Sequence, residues 1–222
     1  LAVTRWREDA TRDSWGTFVY LRDTTSGDVW SAAHQPTLRP TKGYEAIFTE
    51  GRAGFRQRHA EIETHTQISV SPEDDVELRR VTLVNRSTSN RVIELTSYAE
   101  VVLAPAAADA AHPAFSNLFV QTEFLPVSSA ILCTRRARSQ EEKPPWLLHL
   151  LLAHGENGEI SCETDRARFV GRNGSLVRPA ALQPGATLSN TSGSVLDPVI
   201  ALRRTVTLMP NVPMVVDLVI GA

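Results

Sequence analysis

The sequence has 222 residues, a length that fits one large β domain or two small ones. Lysine and arginine total 23 against 25 aspartate and glutamate, which gives a formal charge of −2. Without a net basic charge the chain has no long-range attraction for nucleic acid or for an anionic membrane surface, so we expect neither partner.

Alternating apolar and polar residues predict strands along most of the chain. The pattern is clearest over 62–70 and over 91–103, where Ile93, Leu95 and Ala99 share one face and Glu94 and Glu100 lie on the other. The predicted strands, in chain order, are 15–22, 44–50, 54–59, 62–70, 76–83, 91–103, 119–124, 130–136, 146–153, 160–170, 199–208 and 212–220.

Three segments depart from regular alternation. In 76–83 the apolar phase changes at Arg79 and Arg80, which predicts a β-bulge. The alanine-rich segment 104–111 is too short to be predicted as a helix, and 138–145 and 174–194 have the composition of surface loops. Many antiparallel strands without crossover helices predict an all-β fold, a large antiparallel β-sandwich.

The two cysteines, Cys133 and Cys162, lie in separate apolar segments without metal-binding spacing. So few cysteines favour a reduced, cytoplasmic compartment. The longest apolar run, Trp146 to Ala153, is too short to span a bilayer. From its two ends we expect a single domain, residues 1–222, excised from a larger multidomain enzyme.

The usual catalytic motifs are missing from the sequence. It contains no G-x-S-x-G and no P-loop, and its histidines do not have metal-ligand spacing. No metal and no cofactor are therefore expected. Two carboxylate pairs, Glu94 with Glu100 and Asp74 with Asp75, could serve sugar chemistry, but a strand face and a turn are more typical of solvated side chains.

One stretch, SGDVWSAAHQP over 26–36, holds more chemistry than a hairpin turn requires. Trp30, His34 and Gln35, with Arg22 before the turn, combine a flat ring with planar hydrogen-bonding groups, which suits carbohydrate. Trp6 and Trp15 flank the charged segment that precedes it. Alternatively, Trp30 fills the end of the sandwich and Arg22 pairs with Asp23 or Asp28.

A second polar and aromatic patch occupies 112–117, which is predicted to be a loop. Loops concentrate binding residues, so His112, Phe115 and Ser116 are further candidates for contact with a sugar or a domain. The same residues are also ordinary loop formers, and that alternative remains open.

The runs YLRDTTSGDVWSAAHQP (20–36), LAVTRWREDATRD (1–13) and ELTSYAEVVLAPAAADAAHPAFSNLFVQTEF (94–124) resemble the β-sandwich domain of cyclic β-1,2-glucan synthases. The similarity covers essentially all 222 residues. The chain is more distantly similar to the amino-terminal domain of cellobiose and chitobiose phosphorylases, which carry a shorter form of R-D-x-x-x-G-[DE]-x-W-S.

The resemblance implies a galactose mutarotase-like supersandwich placed before an (α/α)-barrel catalytic domain of a bacterial enzyme. In such enzymes the barrel supplies the general acid and phosphate attacks the anomeric carbon, so this segment is expected to be non-catalytic. It would brace the barrel and contribute loops such as 22–36 and 112–117 to a β-glucan or gluco-oligosaccharide site. The resemblance is also compatible with a parent protein that forms a homodimer. Any membrane anchor of the parent would lie in other segments.

Two other classes of function remain as alternatives. One is an autonomous mutarotase-type sugar epimerase, in which His65 and either Glu94 or Glu100 would exchange the anomeric proton. The other is a purely structural interaction module with an exposed apolar face.

Overall fold

The computed structural model describes residues 1–9, 11, 14–137, 139–156 and 158–222, so Arg138, which opens the predicted loop 138–145, lies outside the described residues. In the described part of the chain fifteen strands form two antiparallel sheets. The strands are β1 (Ala2–Thr4), β2 (Phe18–Asp23), β3 (Val29–Ser31), β4 (Lys42–Thr49), β5 (Arg52–His59), β6 (Ile62–Val70), β7 (Val76–Asn85), β8 (Arg91–Ala104), β9 (Val120–Leu125), β10 (Ala130–Arg135), β11 (Trp146–Ala153), β12 (Ile160–Asp165), β13 (Gly193–Ser194), β14 (Pro198–Leu208) and β15 (Pro213–Gly221).

The two sheets differ in size. The small sheet has the order β12-β14-β8-β2-β3, with β1 also paired to β8, and the large sheet has the order β13-β9-β10-β11-β15-β7-β6-β5-β4. Three short helices, α1 (Ala106–Ala111), α2 (Pro113–Asn117) and α3 (Arg166–Val170), and a single 3₁₀ turn (Ala180–Leu182) complete the described elements. None of the described helices has the length and hydropathy needed to cross a membrane. The predicted all-β sandwich is confirmed.

The main core lies between the two sheets. Leu21, Trp30 and Leu95 from the small sheet pack in one cluster with Val81 and Leu147 from the large sheet, and all five are fully buried. Burying each such side chain contributes roughly 1.5–3 kcal/mol, so this shared layer joins the two sheets into one body.

The β-bulge predicted at Arg79 and Arg80 is wrong. Strand β7 pairs without a register shift with both β6 and β15. The apolar phase changes because the inner face of β7 begins with polar residues: Arg79 precedes Val81 on that face, and its Nη1 donates to the Thr17 carbonyl at 2.7 Å. Leu78 instead points outward and is 39% exposed.

A second apolar cluster covers the outer face of the small sheet. Tyr20 and Tyr98 pack there against Phe169, Leu182 and Leu188.

Three predictions for these outer segments are corrected. The predicted strand 160–170 is partly wrong, since the strand ends at Asp165 and the chain continues as α3. The segment 174–194 was predicted to be a surface loop, but its leucines bury the outer side of β8. The segment 104–117 likewise contains α1 and α2, against the prediction of no helix.

Asp165 marks the change from strand to helix because its carboxylate accepts a hydrogen bond from the Ala167 amide at 2.8 Å, as an N-cap does. Gly171 follows the helix at φ +85°, where a Cβ would lie 2.6 Å from that of Ala180. The close turn at Gly171 returns the chain across the small sheet.

His149 of β11 is a buried histidine at the centre of the molecule. Its Nδ1 lies 3.1 Å from the Val219 carbonyl and its Nε2 2.7 Å from Ser97 Oγ. A neutral ring satisfies both contacts, with Nδ1–H donating and Nε2 accepting from the hydroxyl. Burial is the main cause that lowers the pKa of His149 to about 4.

The lowered pKa of His149 predicts a loss of stability in acid. Between about pH 6.5 and pH 4 the unfolded chain binds a proton that the folded chain does not, so unfolding becomes easier as pH falls, by up to about 3 kcal/mol at pH 4. Urea denaturation between pH 7.5 and pH 4.5 measures the change. His149→Gln should flatten this part of the profile, and equal slopes for the two proteins would contradict the assignment.

Candidate functional site

The loop after β3 carries His34, Gln35 and Pro36 and is fixed from beneath. Ser31 Oγ donates to the Ala33 carbonyl at 2.7 Å and lies 2.8 Å from Thr37 Oγ1. The Leu38 amide donates to the His34 carbonyl at 3.0 Å, and the Gln35–Pro36 peptide is cis. Because Ser31 and Thr37 are buried, the loop has a rigid base.

His34 and Gln35 line a groove of about 640 Å³ that Tyr44 and Phe55 of the β4–β5 hairpin close on the other side. The rings of His34 and Tyr44 meet edge to face with centroids 5.9 Å apart, and Tyr44 is 42% exposed. Arg39 also lines the groove, and its Nη2 lies 3.5 Å from Asp28 Oδ1. The groove thus joins an aromatic surface to groups that donate and accept hydrogen bonds.

Gln35 also lines a second groove, of about 470 Å³, with Trp15, Leu38, Glu100 and Arg166. The guanidinium of Arg7 stacks over the Trp15 ring at 5.4 Å. Gln35 belongs to both grooves. We call the two grooves together, lined by His34, Gln35 and Tyr44 on one side and by Trp15 and Leu38 on the other, the Gln35 rim.

The floor of the second groove belongs to a buried ion cluster centred on Arg5. Arg5 Nη1 lies 2.6 Å from Glu100 Oε2, and its Nε and Nη2 donate to the Asp109 carboxylate at 3.1 and 2.9 Å. Nη2 also donates to Asn117 Oδ1 at 3.0 Å. The cluster therefore ties the amino-terminal segment to β8, α1 and α2.

Glu100 is shared by three donors. Arg166 Nε donates to it at 2.8 Å and the Tyr98 hydroxyl at 3.0 Å, in addition to Arg5. The charge of Glu100, after burial, raises the pKa of Tyr98. Burial opposes the charge on Arg5, but the Asp109 and Glu100 carboxylates outweigh it and raise the pKa of Arg5.

Asp197 extends the cluster toward solvent. Its Oδ1 accepts from Asn117 Nδ2 at 2.9 Å, and Arg5 and Arg166 lie 3.8 Å away. Burial and then the nearby charge of Glu100 raise the pKa of Asp197. The sequence analysis missed this cluster, although Asp109 within an alanine-rich segment was a signal that a charge needed a partner.

Two of the predicted site residues turn out to be structural. Trp30 is 0% exposed and stacks on His59 with centroids 4.9 Å apart, so it has no surface to offer a sugar or another domain. Arg22 is buried and donates to Glu94 Oε2 at 2.7 Å, so its partner is neither Asp23 nor Asp28. The prediction that Trp30 and Arg22 make external contacts is corrected accordingly.

The second predicted patch forms α2 and its N-cap. His112 and Phe115 are exposed, with Phe115 at 61%. Ser116 is buried, and both its carbonyl and its hydroxyl accept from Arg135 Nη1, at 3.0 and 3.3 Å. Of the three predicted contact residues in this patch, His112 and Phe115 remain available to a partner and Ser116 does not. Asn117 links the patch through the ion cluster to the Gln35 rim.

The nominated mutarotase pair is not assembled. His65 lies on the outer face of β6 in the large sheet, whereas Glu94 and Glu100 lie on the outer face of β8 in the small sheet, with the core between them. Burial, Arg56 and Arg52 lower the pKa of His65. Among the described residues no group of three or more histidine, cysteine, aspartate or glutamate side chains could hold a metal ion.

The fold and the rim define a class of protein: a large two-sheet β-sandwich with an aromatic and polar rim on a charged foundation. Residues 1–222 match the family described as "Glycosyl hydrolase 94, supersandwich domain". The chain belongs to this family.

The curated relatives are enzymes that act on oligosaccharides. The chain is 41% identical over 206 residues to "Cyclic beta-(1,2)-glucan synthase NdvB" of Rhizobium meliloti, covering 92% of this chain and 7% of that protein. It is 27% identical over 194 residues to "Solabiose phosphorylase" of Paenibacillus borealis, covering 87% of this chain and 24% of that protein. It is 32% identical over 100 residues to "N,N'-diacetylchitobiose phosphorylase" of Vibrio proteolyticus. The chain thus spans at most about a quarter of the first two relatives.

Proposed function

We propose that this chain is the non-catalytic supersandwich of a cyclic β-1,2-glucan synthase or related glycoside phosphorylase. It braces an (α/α)-barrel catalytic domain and contributes the Gln35 rim to the sugar site of that domain. His34, Gln35 and Tyr44 contact the sugar, and His112 and Phe115 contact the barrel.

The observation that carries the proposal is that three side chains of this chain donate hydrogen bonds to the Glu100 carboxylate. Among the described residues that line the second groove it is the one carboxylate, and hydrogen bonds from Arg5, Arg166 and Tyr98 hold it. Its oxygens are engaged by groups of this chain, so Glu100 holds the floor of the groove in place and is not turned toward a ligand. The groove therefore supports binding and positioning, with acid–base chemistry supplied by another domain.

The rim is suited to sugar because of its composition and its base. Aromatic rings pack against the CH faces of a pyranose, and amide, imidazole and guanidinium groups pair with its hydroxyls. The buried Ser31 and Thr37 contacts hold the loop in place, which reduces the entropy lost when a ligand binds.

A chimera tests the proposal. In the Rhizobium meliloti synthase, the matching segment is replaced by this chain, and cyclic glucan formation is measured with and without His34→Ala/Tyr44→Ala. The chimera should form product, and the double variant should lower its rate at least tenfold at equal protein yield. Val212→Ala, an exposed residue that lines neither groove, is the matched control. Equal rates for the chimera and the double variant would overturn the role of the rim.

A further inference from the structure

The outer face of the large sheet carries a row of side chains that the proposed function does not use. Trp146 of β11 lies directly opposite Thr134 of β10, Thr134 opposite Gln121 of β9, and Gln121 opposite Ser194 of β13. The neighbours Leu147 and Cys133 are fully buried, so the alternate residues of these strands point outward. We call these four residues the Trp146 row.

The Trp146 row lies in a groove of about 420 Å³. Trp146 is 53% exposed at one end of it. Adjacent strands lie about 4.8 Å apart, so four residues across four strands span about 14 Å, which exceeds the width of one pyranose ring. The groove is therefore long enough for a short oligosaccharide lying across the strands.

The chemistry of the row favours an uncharged ligand. The indole supplies a flat apolar face, and Gln121 and Ser194 supply amide and hydroxyl groups that both donate and accept. The Thr134 hydroxyl donates to the Pro145 carbonyl at 3.1 Å, so it offers a ligand its acceptor side. Among the described residues that line the groove, none is lysine or arginine, and Glu123 adds a negative charge. An anion would be repelled, and a purely apolar partner would leave the polar end of the row desolvated without hydrogen bonds.

We propose that the Trp146 row is a second carbohydrate-binding surface that takes a short, neutral oligosaccharide of pyranose rings. The first ring stacks on Trp146, and the following rings present their hydroxyls to Thr134, Gln121 and Ser194. The choice of gluco-oligosaccharide as ligand rests on the proposed function, but the surface itself lies on a different sheet face from the Gln35 rim.

Titration of the chain with β-1,2-linked glucotriose, followed by NMR at the Trp146 Nε1–H resonance, tests the proposal. We expect a saturable shift of that resonance. Trp146→Ala, followed at the Gln121 side-chain amide resonance, should weaken the binding at this surface at least tenfold, about 1.4 kcal/mol. Gln121→Ala, followed at the indole resonance, should weaken it severalfold. Trp6→Ala, which removes another exposed indole, should change nothing. Gln121→Ala keeps the test open if Trp146→Ala fails to fold.

The rim variant separates this proposal from the proposed function. His34→Ala/Tyr44→Ala should leave the shift at Trp146 intact. Resonance shifts confined to the residues of the Gln35 rim would overturn the proposal that the Trp146 row binds sugar and would leave the proposed function standing. No shift at Trp146 with the trisaccharide at tens of millimolar would also overturn the proposal, whatever the activity of the chimera.

Discussion

Replacing Arg5 with methionine should lower the free energy of unfolding by about 3–5 kcal/mol, because removing one partner of a buried ion cluster leaves uncompensated charge in the interior. Arg5 is 6% exposed and contacts Glu100, Asp109 and Asn117 at 2.6–3.1 Å. Methionine keeps most of the side-chain volume, so the expected loss reflects charge and hydrogen bonds more than a cavity. Urea denaturation at pH 7 measures it.

A second background gives an independent measurement of the same effect. Among the described residues, Arg7 is the cation that the Asp109 carboxylate keeps in Arg5→Met, and its Nη2 is 3.6 Å away. Asp109→Asn removes that unpaired charge, so Arg5→Met should cost less stability in the Asp109→Asn background than in the wild type. An equal cost in both backgrounds would indicate that Arg5 acts through packing alone.

Arg7→Ala is the matched control. The Arg7 side chain is 38% exposed and approaches the same carboxylate, so its removal should cost less than about 1 kcal/mol. If the Arg7 variant were as unstable as the Arg5 variant, the buried location of Arg5 would not be the cause of its effect.

The sequence was most informative where burial follows a simple period. The strands Ile62–Val70 and Arg91–Ala104 were predictable because one face of each lies against the shared core. The outer face of β8 was not, because Tyr98 and Glu100 are covered by a segment about 70 residues further along the chain. Alternation reports that a strand has two faces, but it does not report what lies over the second one.

The candidate site was only partly predictable for a related reason. His34 and Gln35 were found because their residue types exceed what the turn requires, and the structure places both in the groove with Tyr44. Tyr44 lies on β4, whose contact with the 34–41 loop depends on tertiary packing. Trp30 gave a misleading signal because an aromatic ring suits a sugar platform and a sandwich core equally well.

Trp30→Ala should destabilise the fold by about 3–5 kcal/mol, the usual cost of removing a large aromatic side chain from a packed core. Trp30 is fully buried, lies opposite Leu21 and stacks on His59 at 4.9 Å. A residue that only contacted a sugar would give the opposite result, with little change in stability and a loss of binding. Urea denaturation followed by far-UV circular dichroism distinguishes these outcomes, because that signal does not depend on the deleted indole.

Two further variants locate the cause of the Trp30 effect. Trp30→Phe should cost less than Trp30→Ala because it keeps a ring against His59, and it loses no hydrogen bond, since the indole Nε1 has no partner among the described residues. Trp6→Ala should change stability by no more than about 0.5 kcal/mol, because that indole is 69% exposed. If Trp30→Ala were as stable as Trp6→Ala, the region around β3 would not be part of the core, and the rigid base of the Gln35 rim would lose its support.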